Sequence, residues 1–411
     1  MSLVHRQRRL CRAPERLQAL LFALLLSACI KRPEGAAAPN APGSDPAAPS
    51  DASTKGASTA PPATLPEGAS IAKKYEKFFP VGVAVTQKHL TTPTIREIIT
   101  THFNRLTAEN AWKWGELSPS KDRYDWGEAD FIAAFAREHK MAMTGHALVW
   151  HRQAPGWVFA RLQNGDPQAI ETVKARLKAH IDTVIPRYAD VVDNWDVVNE
   201  AISDSGDKTY RDATEGSKFY GIFGSEEYVY LAFLWAQQAY EAHAPGSSEG
   251  KLYYNDYNVV LKIDRIIPML NAVREKGARV DGIGMQFHVR LDWPSVADLD
   301  ATMQKIIAAG YKIKVSELDV NLYNDYPDGK FKAAPAVDFT PELAEQQAKR
   351  YAELFALFRK HAEHITSVTL WGVSDDSTWL DHEPVGGRNN HPLLFDDQHR
   401  PKAAAAAILD F

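Results

Sequence analysis

Two glutamates close hydrophobic runs in this chain, and each is poorly placed if stability is its only task. The run 191–198 ends on Asn199 and Glu200. The run 313–317 ends on Glu317, with Asp319 two residues further on and on the same face of an extended chain. A carboxylate leaving a buried strand must be paired, hydrogen-bonded or protonated, because desolvating its charge is costly. A carboxylic acid and a carboxylate on separate strand ends are what cleavage of an acetal between two sugars requires. One protonates the leaving oxygen, and the other attacks the anomeric carbon or activates water. A structural ion pair is the competing explanation for either glutamate taken singly. The amide and aromatic side chains that accompany both favour a site.

The elements that would position them follow from the hydrophobic pattern. Short apolar runs at 81–85, 103–106, 141–146, 191–198, 252–255, 282–286, 313–317 and 368–371 alternate with amphipathic stretches at 130–139, 171–186, 226–243, 263–276, 296–309 and 343–361. Strands alternating with helices predict an α/β fold, a parallel (β/α)8 or TIM barrel over residues 70–411. An open doubly wound sheet is the alternative, but no glycine-rich dinucleotide turn follows 81–85. In a barrel, chemistry gathers at the carboxyl ends of the strands. The conspicuous polar and aromatic residues fall there: Glu109, Asn110 and Lys113 after the second run, His146 and Trp150 after the third, Asn199 and Glu200 after the fourth. Asn255 and Tyr257 follow the fifth, Gln286 and His288 the sixth, Glu317 and Asp319 the seventh, Trp371 and Trp379 the eighth.

On this reading Glu200 is the acid/base and Glu317 the nucleophile. His288 is the expected donor to Glu317, with Asp319 on its other ring nitrogen. Asn199 is expected to donate to a sugar hydroxyl beside the reacting carbon. Glu109, Asn110 and Lys113 suit the paired hydroxyls of one sugar ring, against the alternative of a helix start with a solvated lysine. Trp371 and Trp379 are either apolar walls for a sugar or core. A metal on His146, His151 and His288 is disfavoured, since the HExxH spacing is absent and no cysteine is at hand. No metal and no cofactor are expected.

The ends of the chain carry other signals. Arg6, Arg8, Arg9, Arg12 and Arg16 precede an apolar run, 17–28, that is short for a membrane span. It closes on Leu26-Ser27-Ala28-Cys29, which resembles the lipobox of bacterial lipoproteins. That resemblance implies a signal peptide over 1–28 and a lipidated Cys29, with an ordinary secretory signal as the alternative. Ile30 instead of Asp after the cysteine implies the outer membrane. Residues 29–69 are rich in Ala, Pro, Ser, Gly and Thr and are expected to form a flexible tether, with a Pro-rich recognition segment the other possibility. The only other cysteine, Cys11, precedes the cleavage point, so no disulfide is expected in the exported domain. The net charge of −5 with no basic stripe leaves nucleic-acid binding unsupported. Ten tryptophans lie between Trp112 and Trp379, a side chain suited to stacking on sugar faces.

The motifs FNRLTAENAWKWGELSP, TGHALVWHRQAPGWV, WDVVNEAI, YYNDYNV, GIGMQFHV, VSELDV, WGVSDDSTWL and PLLFDDQHRPK occur in that order. Together they resemble family 10 glycoside hydrolases, in particular endo-β-1,4-xylanases, from about Tyr75 to the end. The resemblance implies a (β/α)8 barrel and hydrolysis of xylan with retained anomeric configuration, with Glu200 as acid/base and Glu317 as nucleophile. It implies sugar contacts from Glu109, Asn110, Lys113, His146, Trp150, Gln286, Trp371 and Trp379. Asn199, Asn255, Tyr257, His288 and Asp319 also stand on matching positions. Implied partners are xylan or xylo-oligosaccharides and a membrane through the lipid anchor only, for a monomer. Ala111 and Trp112, and Met285 and Phe287, depart from the family's usual residues and put subsite shape in doubt. A β-glucanase or mannanase on the same barrel, and a non-catalytic polysaccharide-binding lipoprotein, are the rivals; the latter would need neither Glu200 nor Glu317.

Overall fold

The computed structural model describes residues 56–243, 251–327 and 330–411. The expected signal segment, Cys29 and the earlier part of the expected tether lie outside the described residues. Nine strands are present among the described residues: β1 (Val81–Val85), β2 (Arg105–Ala108), β3 (Ala142–Trp150), β4 (Val192–Asn199), β5 (Leu252–Asp256), β6 (Gly282–Met285), β7 (His288–Arg290), β8 (Lys312–Asn321) and β9 (Ile365–Leu370). All pair in parallel, in the order β6-β5-β4-β3-β2-β1-β9-β8, and β6 pairs with β8 to close the ring. The result is the expected eight-stranded parallel barrel, with β7 paired only to the far end of β8. The eight apolar runs correspond to the eight ring strands.

Two strands outrun their apolar signal by four residues. β3 continues to Trp150 and β8 to Asn321, so His146, Trp150, Glu317 and Asp319 lie within strands and not after them. The backbone ladder continues where the side chains turn polar, because main-chain pairing is indifferent to side-chain polarity while hydropathy is not. The short β7 carried no apolar run and was not expected.

A helix follows each ring strand: Pro93–His102, Gly127–Glu138, Pro167–Arg187, Glu227–His243, Val259–Glu275, Val296–Ala308, Pro341–Lys360 and Ala403–Ala407. Local chemistry starts several of them. Pro167 follows Asp166, whose side chain accepts from Gln168 N, and Pro341 follows Thr340, whose hydroxyl accepts from Leu343 N. Ala169, Val173, Leu177, Ile181 and Val184 then recur at helical spacing and are all buried. The first helix, Pro93–His102, was not expected: its threonines and isoleucines are weak helix formers, and its buried face against the barrel decides the matter.

Trp112, Trp114 and Trp195 are among the largest fully buried side chains. Trp112 packs 4.6 Å from the Tyr188 ring and 5.8 Å from that of Trp195, so this departure from the family's usual residues fills core. Residues 56–69 correct the expectation of a tether running to 69. Thr59 N and Ala60 N donate to Phe339 O, Ala63 N donates to Pro401 O, and Asn389 Nδ2 donates to Gly56 O. Backbone groups that find fixed acceptors on the barrel can hold a chain whose own apolar content is low.

Candidate active site

The end of β4 carries Asn199 and Glu200, and β8 carries Glu317 and Asp319. Both glutamates are nearly buried, at 7% and 4% exposure. Side-chain amides join them at the carboxyl ends of the strands. Asn199 Nδ2 lies 3.3 Å from Glu200 Oε1, Asn255 Nδ2 donates to Asn199 Oδ1 at 3.0 Å, and the same Asn255 Nδ2 donates to Glu317 Oε1 at 2.6 Å. Register makes this possible: Asn199 pairs with Asn255 across β4 and β5, and Asn255 pairs with Gly284 across β5 and β6. A Cβ on Gly284 would sit 2.2 Å from Asn255 Oδ1, so glycine there makes room for the amide between the two carboxylates. Ser316 Oγ donates to Asn255 Oδ1 at 2.6 Å and sets the amide's orientation.

The two carboxyls differ in what touches them. Glu200 Oε2 accepts from the indole N–H of Trp150 at 2.8 Å, and Oε1 accepts from Gln286 Nε2 at 3.0 Å. These donors are neutral. Glu317 Oε2 lies 3.2 Å from His288 Nε2, whose Nδ1 lies 2.7 Å from Asp319 Oδ2. Burial alone would strip His288 of its proton; the carboxylates of Asp319 and Glu317 outweigh burial and raise its pKa to about 10. His288 is therefore an imidazolium near neutral pH. Trp379 Nε1 donates to the same Asp319 Oδ2 at 2.9 Å, and its ring lies 4.9 Å from that of His288.

The remaining residues expected at the site surround this pair. His146 Nδ1 lies 3.0 Å from Asp196 Oδ2, and Asp196 is held by the buried Lys314 at 2.5 Å. Trp371 stands edge-on to His146, with ring centroids 5.2 Å apart, and 6.4 Å from His288. Lys113 is buried, not solvated: its Nζ donates to Asn110 Oδ1 at 2.9 Å and lies 4.8 Å from the Trp150 ring. Burial lowers its pKa, and the charges of Glu317, Glu109 and Glu200 oppose that. Burial also raises the pKa of Glu109, against the nearby Lys113. Tyr257 lies to one side. Its hydroxyl donates to Asp204 Oδ2 at 2.5 Å and accepts from Arg211 Nη2 at 3.1 Å, with Lys262 Nζ over its ring. His151 is half-buried, its Nδ1 buried and without a hydrogen-bond partner among the described residues. Among those residues no group of three or more His, Cys, Asp or Glu has metal-holding geometry.

The sequence reading missed the layer behind these groups: Asp196 with Lys314, and Tyr254, Asp256, Lys262, Asp204 and Arg211 around Glu200. A lysine and an aspartate inside otherwise apolar strands were the available signal, since neither is buried without a partner.

A parallel barrel whose mouth holds two carboxyl groups joined by amides, with indoles and cations around them, defines the class of two-carboxylate glycosidases. The chain belongs to glycosyl hydrolase family 10, whose sequence model matches residues 70–411. It is 40% identical over 345 residues to endo-1,4-beta-xylanase A of Caldicellulosiruptor saccharolyticus, covering 83% of this chain and 96% of the relative. It is 38% identical to a beta-1,4-xylanase of Dictyoglomus thermophilum, covering 83% and 91%. Among solved structures, a mutant in complex with xylotriose is 38% identical with a TM-score of 0.74, covering 84% of this chain and all of that one. The endo-1,4-beta-xylanase from Caldicellulosiruptor owensensis is 36% identical with a TM-score of 0.73, covering 83% and 99%.

Proposed function

We propose that this protein is an endo-β-1,4-xylanase that cleaves the xylan backbone by double displacement with retention, Glu317 being the nucleophile and Glu200 the acid/base. The observation that carries the assignment of roles is the asymmetry between the two carboxyls. A nucleophile must be anionic when it attacks the anomeric carbon, and His288 sets a positive charge against Glu317. An acid/base must give up a proton and take one back within a cycle, and only neutral donors touch the Glu200 carboxyl. In the first step Glu317 forms the bond to the anomeric carbon while Glu200 protonates the departing oxygen. In the second Glu200 removes a proton from water, which displaces Glu317.

Glu109, Asn110, Lys113, His146 and Gln286 then hold hydroxyls of the sugar on the non-reducing side, with Trp150, Trp371 and Trp379 as its walls. Membership of the family and the xylanases among the relatives support the substrate class. Release of reducing ends from xylan, compared with carboxymethyl cellulose, tests it: xylan should be preferred by a wide margin, and equal rates count against the reading. The anomer of the first product from a xylo-oligosaccharide, read by NMR before mutarotation, should be β. An α product would overturn the double displacement.

We further propose export as a lipoprotein anchored through Cys29. Support comes from the basic, apolar and small-residue order of residues 6–29. Incorporation of a labelled fatty acid should be lost in Cys29→Ala; labelling that persists would sink the anchor.

A further inference from the structure

Glu200 has φ of +58°, in the left-handed region. A residue with a Cβ rests there only when its surroundings over-determine it. Here the surroundings hold the consecutive peptide groups about it. Glu200 N donates to Asn255 O at 2.9 Å, and Glu200 O accepts from Arg211 Nε at 3.1 Å. The N–H groups of Ala201 and Ile202 both donate to the Tyr254 hydroxyl, at 2.9 and 3.0 Å. That hydroxyl donates in turn to Asp256 Oδ2 at 2.5 Å. Its one donor and two acceptor positions are thereby filled. Burial and the neighbouring Asp256 hold the Tyr254 pKa well above its ordinary value, so it remains a donor. Asp256 Oδ1 is fixed by Lys262 Nζ at 2.8 Å and Tyr257 N at 2.9 Å. Lys262 reaches Asp204 at 3.0 Å, and Asp204 holds Arg211 at 2.9 Å. The ring of contacts closes on the backbone of Glu200, and none of its side chains bonds the Glu200 carboxyl.

We propose that Tyr254, braced by Asp256, is a positioning residue for proton transfer: it locks the left-handed turn at Glu200 and so aims that carboxyl at the departing oxygen. The proposal rests on Glu200 being the acid/base. Its signature is dependence on the leaving group, because a carboxyl swung off line fails to deliver a proton but leaves nucleophilic attack by Glu317 untouched.

The test measures kcat/KM, which reports the first displacement, for two substrates of the full-length enzyme. One is a xylo-oligosaccharide, whose leaving oxygen needs a proton. The other is a dinitrophenyl xylobioside, whose leaving group does not. Tyr254→Phe should lower kcat/KM on the oligosaccharide by about 10- to 100-fold, part of the roughly 10²–10⁴-fold that a general acid supplies. On the aryl substrate it should stay within about three-fold of wild type, and the alkaline limb of the oligosaccharide pH profile should move. Asp256→Asn, which keeps the backbone acceptor, should show the same split in smaller degree and carries the test if Tyr254→Phe does not fold. Equal losses on both substrates, or no loss on either, overturn the proposal. Glu200→Gln serves as control. If it shows the split and Tyr254→Phe does not, only the positioning role fails; if Glu200→Gln hydrolyses the oligosaccharide at the wild-type rate, the assignment of the acid itself fails.

Discussion

The two flanks of the cleft hold the same functional group in different ways. On the β4 flank, Glu200 is held through its backbone by Arg211 and Tyr254 and touched at its carboxyl by neutral donors, Trp150, Asn199 and Gln286. On the β8 flank, Glu317 lies within the strand and meets an imidazolium that Asp319 keeps charged. The difference teaches that charge placement, not burial, distinguishes the two, since both glutamates are almost equally hidden from solvent. On the proposed roles, the group that cycles its proton is fixed by its main chain and has only neutral donors at its carboxyl. The group that stays anionic is given a cationic one.

The sharpest way to break this comparison is to remove each carboxylate in turn. Glu317→Gln should lower kcat by about 10⁴-fold or more on every substrate, because no leaving group compensates for a missing nucleophile. A Glu317→Gln enzyme that keeps a few per cent of its turnover would remove the distinction between the flanks. Next in size is the counter-charge. His288→Gln keeps a donor near Glu317 and loses the cation, and should cost about 10²- to 10³-fold in kcat, the range seen when one electrostatic donor is lost. Steady-state rates within about threefold of wild type would show that the charge does not matter.

The same histidine has a pH signature. Its folded pKa of about 10 lies above the ordinary value of 6.5, so the folded chain keeps a proton that the unfolded chain has lost between those values. That stabilisation is complete below about pH 6.5 and disappears as pH climbs toward 10. Denaturant midpoints of wild type should fall over this window, and His288→Gln should flatten the fall; parallel curves for the two proteins would refute the assignment. On the other flank, Trp150→Phe keeps the ring and removes the N–H that reaches Glu200, and should lower kcat/KM about tenfold, one hydrogen bond's share. No change would place the indole among the walls only.

The smallest effect lies outside the cleft and acts as a control on the linkage argument. His180, stacked 4.2 Å from the Trp114 ring, has its pKa lowered to about 3 by burial. Its contribution to stability is present above pH 6.5 and lost as pH falls below that value, the opposite sense to His288. His180→Phe should reduce the loss of stability between pH 6.5 and 4 without touching kcat. An unaltered acid limb of the stability profile would show that His180 is not the group responsible.

Much of the architecture was legible in the sequence, for a physical reason. Apolar runs and helical spacing are local signals, and a barrel repeats the same local unit, so the eight ring strands and most of the long helices follow from periodicity. Strand ends are local too, which is how Glu200, Asn199, Glu317 and Asp319 stand out. The short β7, the Pro93–His102 helix and the seat of residues 56–69 were not legible, because each is held by distant partners against weak local preference. Thr59 and Ala60, for instance, bond to Phe339, far along the chain.

The sequence by itself determined which residues reach the mouth of the barrel, because alternation along a strand and its polar end are written in neighbouring side chains. Only closure of the ring decided who meets whom there. Trp150 and Glu200 are 50 residues apart, Asn255 and Glu317 are 62, and Trp379 and Asp319 are 60. No local rule brings such pairs within hydrogen-bond distance. It takes strand register, set when β6 pairs with β8, to turn a row of polar strand ends into one site with a neutral side and a charged one.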